Sequence, residues 1–261
     1  MIPLYVDSDC ALGSFTGDVD DAFALAALLA SDAPLSGVGA VFGNTREPLA
    51  RRNLGRLLAL AGRAPQVLRG ADNRGSQGDT PASRWLASPG PRLRALALGP
   101  LTNLAAALGM PGSRARERIV EVIAVAGMLG PGPAQWDLNR RCDPGALDAL
   151  VRSGIPVTLV PCDVARRLWI RPATLRQLPG QLGRRLASGS RRWIVRNALL
   201  LRWGFPVWDL VAAMYALEPH AFDTDEASDG TRRVKGFEPE MLWASFVERL
   251  ARSHAGTTPP K

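Results

Sequence analysis

The amino-acid sequence predicts a single α/β domain in which a mostly parallel sheet carries helices on both faces and the C-terminal third is helical. Strand-like and helix-like segments alternate from residue 2 to about residue 165, as they do when helices connect parallel strands. Hydrophobic residues make up 46% of the 261 positions, enough apolar surface for the core of one large domain. Since neither a repeat nor a linker divides the chain, we assign residues 1–261 to one domain.

Three strands and two helices are predicted in the first 70 residues, where short apolar runs alternate with longer segments of helical periodicity. They are a strand over 2–9, a helix over 19–30, a strand over 35–44, a helix over 46–62 and a strand over 64–70. Gly62 is a typical residue at a helix end. Residues 71–92 are rich in Gly, Ser, Asp and Pro and predict a long loop.

The alternation continues through the middle of the chain, and beyond about residue 165 the sequence becomes mainly helical. The predicted elements are a strand over 92–100, a helix over 101–108, a strand over 118–127, a helix over 143–154 and a strand over 155–164. This order predicts a Rossmann-like sheet, in which ligands bind beyond the carboxyl ends of the strands. Polar residues and turns fall at those ends: Asp7, Asp9, Asn44, the turn at Leu98 and the loop 128–139.

The charge of the chain gives only weak support to a nucleic-acid partner. The formal net charge is +8, but the basic residues are scattered, and only Lys235 and Lys261 are lysines. The chain lacks a lysine-rich tail, and it lacks aromatic residues interleaved with basic ones. Both features are common in nucleic-acid-binding proteins. Binding of nucleic acid is therefore the third-ranked hypothesis.

Cysteine content and hydropathy indicate an intracellular, soluble protein. The three cysteines are Cys10, Cys142 and Cys162, an odd number without metal-ligand spacing, which argues against a disulfide framework or a structural zinc site. An apolar run long enough to span a membrane and a signal-peptide pattern are also missing. We therefore expect a cytoplasmic location and no membrane partner.

Five aspartates lie within the fifteen residues "DSDCALGSFTGDVDD", residues 7–21, between a predicted strand and a predicted helix. Carboxylates this close repel one another, and a bound cation relieves the repulsion. An EF-hand is excluded because Ala11 and Leu12 occupy its fifth and sixth positions. A phosphatase of the haloacid dehalogenase type is not favoured because neither lysine lies at a strand end of the predicted sheet.

Taken in order, these segments resemble the nucleoside hydrolase family of the inosine-uridine type. The family motif Asp-x-Asp-x-Gly-x-Asp-Asp is matched by "DSD" and "DVDDAFAL", and "VFGNT" with "RRN" follows. The most specific match is "LALGPLTNLAAAL"; "DLNRRCDPGALDAL" and "PVWDLVAAMYALEP" resemble the ribose-binding and late His-Asp segments. The resemblance extends from about residue 3 to residue 219 and implies hydrolysis of ribonucleosides to ribose and free base, in nucleoside catabolism or purine salvage.

The resemblance also implies a calcium site and a ribose site. The implied Ca²⁺ ligands are the carboxylates of Asp9, Asp20, Asp21 and Asp209 and the backbone carbonyl of Leu98. Asp9 would also take a proton from the attacking water. The implied ribose contacts are Asp20, Asn44, Asp137 and Asn139, with Asp137 standing where the family usually has the longer glutamate. Independently of the family, such carboxylates suit the positive charge that develops on the ribose ring as an N-glycosidic bond breaks.

Three departures from the family pattern bear on the mechanism. Ten residues, Cys10 to Val19, intervene where the family has three, and this inserted loop either folds outward or lies over the pocket and brings Asp18 with it. The 71–92 loop lacks the His-Gly segment of many relatives. Trp208 replaces the histidine that protonates the departing base, and neither His220 nor His254 falls at a motif position.

Trp208 has two interpretations, packing in the core or stacking on a purine base. Trp136 and Trp203 are further candidates for stacking, but for each of them packing in the core is the favoured interpretation. With stacking in place of an acid, we expect purine nucleosides to be preferred. The alternative function is a non-catalytic or divergent riboside-binding protein that lacks efficient leaving-group activation. We also expect a homo-oligomer, either a dimer or a tetramer.

Overall fold

The computed structural model describes residues 1–63, 65–73, 79–133, 137–198 and 204–255, without the side chains of His254 and Ala255. The strands in these ranges are β1 (Leu4–Ser8), β2 (Leu35–Ala40), β3 (Val67–Arg69), β4 (Leu93–Ala97), β5 (Ile119–Val125), β6 (Val157–Val160), β7 (Trp169–Ile170), β8 (Phe205–Pro206), β9 (Phe222–Glu226) and β10 (Arg232–Phe237). Eight of them form one sheet in the order β3-β2-β1-β4-β5-β6-β10-β9. All pairings in this sheet are parallel except β9 with β10, and β7 and β8 form a separate antiparallel pair.

Helices cover both faces of the sheet, which confirms the predicted fold class. They are α1 (Asp20–Leu29), α2 (Glu47–Leu60), α3 (Pro81–Ala87), α4 (Thr102–Gly109), α5 (Ala115–Arg118), α6 (Leu138–Cys142), α7 (Pro144–Arg152), α8 (Cys162–Ala165), α9 (Gly180–Arg196), α10 (Trp208–Leu217) and α11 (Pro239–Ala255). Two short 3₁₀ helices cover Pro172–Gln177 and Pro219–Ala221.

Alternating side chains of each strand enter two different hydrophobic clusters. In β1, Leu4 and Val6 join the cluster under α1, α2, α9, α10 and α11, whereas Tyr5 joins the cluster under α3, α4, α5 and α7. Helix α1 is buried along its whole length and packs against α10, which explains its run of alanines and leucines. After its two N-terminal aspartates the helix is apolar on all sides, and contacts with α2, α9, α10 and α11 help to bury it.

Several predicted elements need correction, and a hairpin was missed. The strand predicted over 35–44 ends at Ala40, and the strand predicted over 92–100 ends at Ala97. Residues 81–87 of the predicted loop form α3, because Pro81 occupies the first turn and the Thr80 and Ser83 side chains form a capping box. The strand predicted over 155–164 ends at Val160, before Pro161 and the short helix α8. The hairpin β9–β10 was missed because four of the five β9 residues are exposed, so the strand lacks a hydrophobic pattern.

The chain order of the strands places a crevice at the centre of the sheet. From β3 to β6 the order is 3-2-1-4-5-6, so the connections run in opposite directions from β1 and from β4. In open parallel sheets ligands bind beyond the carboxyl ends of the strands at this reversal. Among the described residues, no helix is both long and apolar enough to cross a membrane.

Candidate active site

A cavity of about 240 Å³ lies at this edge of the sheet, beside the carboxyl ends of β1, β2, β4, β5 and β6. It is open to solvent on one side. The described residues that line it are Asp18, Asp20, Asn44, Leu98, Val125, Asp137, Leu138, Asn139, Cys162, Trp208 and Asp209. The fold therefore brings into one cavity seven of the nine residues predicted for the site. The other two, Asp9 and Asp21, are fully buried close to it.

Three carboxylates converge where the first turns of α1 and α10 meet. Oxygen atoms of Asp20, Asp21 and Asp209 all lie within 4.8 Å of one another, and all three residues are buried. Helix N-termini carry partial positive charge, which favours carboxylates at this point. Even so, burial and then the charge of Asp20 raise the pKa of Asp209 well above its usual value.

Asp9 follows β1 and lies beside this group. Its Oδ2 accepts a hydrogen bond from the backbone N–H of Asn44 at 2.5 Å. Gly43 permits this approach, because a Cβ at position 43 would lie 1.9 Å from Asp9 Oδ2. Burial and then the charge of Asp21 raise the pKa of Asp9 well above its usual value.

The acidic cluster fits a divalent cation. Asp9 Oδ1 and Asp21 Oδ2 are buried and have no hydrogen-bond partner among the described residues, whereas Asp21 Oδ1 accepts a bond from Ser8 Oγ at 2.5 Å. Unpartnered buried oxygens are costly, and a cation satisfies them and lowers the carboxylate pKa values together. An all-oxygen donor set suits a hard ion such as Ca²⁺ or Mg²⁺.

The predicted ribose contacts also line the cavity, but two of them hold the protein backbone as well. The Asn139 amide nitrogen donates to the carbonyls of Leu98 at 2.8 Å and Val125 at 3.0 Å, which leaves its Oδ1 as the acceptor. Both Asp137 oxygens accept backbone N–H groups, from Arg140 at 2.9 Å and from Gly127 at 2.7 Å. Asp137 is therefore the N-cap of α6, and its role as a ribose contact stays a prediction.

Trp208 lies between the hydrophobic core and the cavity, the two surroundings between which the sequence did not decide. It is the first residue of α10, and its Nε1 donates a hydrogen bond to the Cys162 carbonyl at 3.1 Å. Its half-buried ring packs against the hydrophobic core on one side and contributes to the cavity wall on the other. The ring is thus held in one orientation at the edge of the cavity.

The inserted loop packs back against α9, and its last part brings Asp18 to the cavity wall. Cys10, Ala11 and Leu12 are buried, and Leu12 packs so closely on α9 that a Cβ at Gly189 would lie 2.6 Å from it. Farther along the loop, Arg196 of α9 donates to the Phe15 carbonyl at 3.1 Å, and its guanidinium lies 5.0 Å from the Phe15 ring centroid.

Asp18 comes to the cavity wall at the end of this loop. Its backbone N–H donates to Asn44 Oδ1 at 3.4 Å, and its Oδ1 accepts from the Val19 N–H at 2.6 Å. Burial raises the pKa of Asp18 to about 7. Asp7, by contrast, faces the opposite side of the sheet, where its Oδ1 accepts bonds from Tyr5 and Asn103 and burial raises its pKa to about 6.

Sequence reasoning missed the apolar part of the cavity wall. Val125 and Cys162 lie at the carboxyl ends of β5 and β6, so the strand-end rule that selected Asn44 and Leu98 would also have found them. Leu138 carries no such signal. His220 is exposed in the 3₁₀ helix after α10 and does not line the cavity. Trp136 and Trp203 lie outside the described residues.

Sequence comparison identifies relatives of the chain. The profile of the family described as inosine-uridine preferring nucleoside hydrolase matches residues 4–236. The pyrimidine-specific ribonucleoside hydrolase RihA of Shewanella oneidensis is 28% identical over 137 residues, which is 49% of this chain and 42% of that protein. The match thus spans less than half the length of this relative.

Two solved structures share the fold along almost the whole chain. A purine-preferring ribonucleoside hydrolase from Gardnerella vaginalis superposes with a TM-score of 0.77 at 21% identity, covering 97% of this chain and 99% of that one. A plant nucleoside hydrolase gives a TM-score of 0.78 at 19% identity, covering 96% and 99%. These likenesses establish the fold, which agrees with the predicted α/β class.

Proposed function

Since this chain belongs to the inosine-uridine preferring nucleoside hydrolase family, we propose that it hydrolyses the N-glycosidic bond of ribonucleosides to ribose and free base. The observation that carries the proposal is one cavity lined by Asp20, Asp209, Asn44 and Asn139, with Asp21 buried within 4.8 Å of the two carboxylates. Carboxylates stabilise the oxocarbenium-like transition state, and amide groups bind sugar hydroxyls. We propose Ca²⁺ as the cation of this site.

Each residue has a distinct part in the reaction. Asp9 accepts the proton of the attacking water at Oδ1, since its Oδ2 is held by the Asn44 N–H. Asn44 and Asn139 orient the ribose, with Asp20 accepting a hydrogen bond from a ribose hydroxyl. Asp9, Asp20, Asp21, Asp209 and the Leu98 carbonyl would hold Ca²⁺, which when bound offsets their charge, orients the ribose diol and lowers the pKa of the attacking water. The Leu98 carbonyl has a lone pair to spare beside its Asn139 bond.

Purine preference is part of the proposal and depends on Trp208. The names of the relatives differ on this point, because RihA is pyrimidine-specific and the Gardnerella enzyme is purine-preferring. An aromatic ring on the cavity wall favours the larger purine by stacking. We also propose a cytoplasmic homo-oligomer, a dimer or a tetramer, which cell fractionation and light scattering would test.

The decisive experiment measures release of reducing sugar from inosine, adenosine and uridine, with calcium and with a chelator. We expect calcium-dependent release that is lost in Asp9→Asn and kept in Asp148→Asn, an exposed carboxylate elsewhere on the protein. Failure of every substrate with the folded, calcium-loaded protein would refute the hydrolase.

The second candidate is a riboside-binding protein without efficient turnover. It is favoured by one observation: Trp208 stands where the family has its leaving-group histidine. Calorimetric binding of inosine without release of ribose would support this candidate.

A further inference from the structure

We propose that the site prefers ribosides whose base already carries a positive charge, such as N-ribosylated pyridinium rings, over neutral nucleosides. This inference rests on the proposed function and specifies its substrate class. Three features of the cavity support it: its charge, the group available to the departing base, and the aromatic wall.

The cavity wall is acidic although the protein as a whole is basic. Its described lining includes four carboxylates and no arginine, lysine or histidine, while the formal net charge of the chain is +8. The carboxylates on the wall are those of Asp18, Asp20, Asp137 and Asp209, with Asp9 and Asp21 buried close by. Because the described wall carries acidic side chains and no basic one, its field attracts a cationic ligand and repels an anionic one.

The group that normally protonates a departing base is missing from the described cavity. A neutral purine or pyrimidine must gain a proton as it leaves or depart as an anion, and an anion is disfavoured among carboxylates. A cationic base avoids this requirement. The water oxygen bonds to C1′ as the C1′–N bond breaks. The electron pair of the C1′–N bond passes to the ring nitrogen and cancels its positive charge. The water proton goes to Asp9 and then to solvent. The products are ribose, a neutral base and one proton.

The aromatic wall suits the same ligand. The Trp208 ring lines the cavity and is held by its Nε1 bond to the Cys162 carbonyl. A cation over the face of a tryptophan is attracted by the ring quadrupole, and tryptophan is the best of the aromatic residues in this role. Val125 and Leu138 supply apolar contacts for a flat ring.

Asp18 is the carboxyl group on this wall that comes from the inserted loop. The inserted loop brings it to the wall and is itself held by Leu12 on α9 and by Arg196 on Phe15. Asn at position 18 keeps the Oδ1 acceptor for the Val19 N–H but removes the charge. Asp18→Asn therefore tests the electrostatic attraction of a cationic ligand without removing the hydrogen bond that holds the end of the loop.

The test uses two uncleavable C-ribosides that differ in charge, an N-methylpyridinium-3-yl riboside and its neutral 3-methylphenyl isostere. Calorimetry with calcium present should give at least tenfold tighter binding of the cationic riboside by the wild-type protein. The ratio of the two dissociation constants, neutral over cationic riboside, should fall at least threefold in Asp18→Asn and should also fall with rising salt. It should stay unchanged in Asp148→Asn. Equal binding, or tighter binding of the neutral isostere, would overturn the inference. The wild-type ratio decides it even if Asp18→Asn does not fold.

The outcome also separates this inference from the proposed function. Hydrolysis of inosine and uridine by a protein that binds both C-ribosides equally would leave the hydrolase standing and refute the cationic preference. Discrimination between the C-ribosides without hydrolysis of any riboside would refute the hydrolase and leave the ligand class standing.

Discussion

The backbone N–H of Asp209 donates a hydrogen bond to Asp20 Oδ2 at 3.3 Å, joining residues 189 positions apart in the sequence. This contact places the first turn of α10 against the first turn of α1, so two helix N-termini face the same carboxylates. The partial positive charge of both helices lowers the cost of gathering the acids but does not remove it, as the raised pKa values show.

Calcium should stabilise the protein through this contact. We expect thermal unfolding to shift upward on addition of Ca²⁺, by a free energy of about 2.7 kcal/mol at a concentration of 100 times Kd. Asp209→Asn should lose most of the shift, and the exposed-site control Asp148→Asn should keep it. Crystals grown in calcium should show metal–oxygen distances of about 2.3–2.6 Å. Splayed carboxylates without a shared ion in such crystals would contradict the site.

The stability of the metal-free protein should fall as the pH rises from about 4 to 7. Burial raises the pKa of Asp7 from 3.8 to about 6 and that of Asp18 to about 7, so the folded state binds more protons than the unfolded state in this window. Asp7 alone contributes roughly 3 kcal/mol below pH 4, which is lost above pH 6. Unfolding by urea in chelator at several pH values measures the slope.

Calcium should stabilise more at pH 8 than at pH 5, since its ligands must be deprotonated. A calcium effect independent of pH would mean that the ion binds elsewhere.

Asp9→Asn should keep the fold and lose on the order of 10²–10⁴ in turnover, the usual range for removal of a general base. The amide keeps the acceptor for the Asn44 N–H but cannot take a proton. Steady-state kinetics should locate the loss in kcat, with circular dichroism as the control for folding. Turnover within twofold of wild type would assign the base to another group.

Trp208 should set the order of substrates. Without an acid at this position, a nitrophenyl riboside should be cleaved fastest among uncharged substrates, then purine nucleosides, then uridine. Trp208→Ala should reduce kcat/KM for purines more than for the nitrophenyl riboside. Trp208→Phe keeps a ring and should cost about 1 kcal/mol of stability through loss of the bond to Cys162. Uridine cleaved faster than inosine would argue against stacking.

Gly17→Ala should displace the inserted loop. A Cβ at position 17 would lie 2.5 Å from the Asn44 carbonyl oxygen and from Ala11 Cβ, so the loop must shift away from Asn44. We expect weaker binding of ribosides and easier proteolysis within residues 10–19. Gly55→Ala on α2 is the matched control, because its Cβ meets nothing within 4 Å. Unchanged binding in Gly17→Ala would mean that the loop takes no part in the site.

Much of the fold was predictable because its signals are local. The apolar strands that precede Asp9, Asn44 and Leu98, and the helices between them, follow from periodicity and from the polar residues and turns after the strands. Helix α3 and the hairpin β9–β10 escaped this reasoning, since one lies in a Gly- and Pro-rich segment and the other has an exposed, charged edge strand.

The first six strands of the sheet, the family resemblance and the carboxylates that follow the strands were predictable from sequence, since these depend on residues close together in the chain. The packing of the inserted loop on α9, with Asp18 at the cavity wall, came from the three-dimensional structure, because it depends on contacts such as Arg196 with Phe15, 181 positions apart. The tertiary structure also decided that Asp137 caps α6 and that Trp208 both packs and lines the site. Side-chain orientation at such positions depends on packing partners that no local pattern specifies.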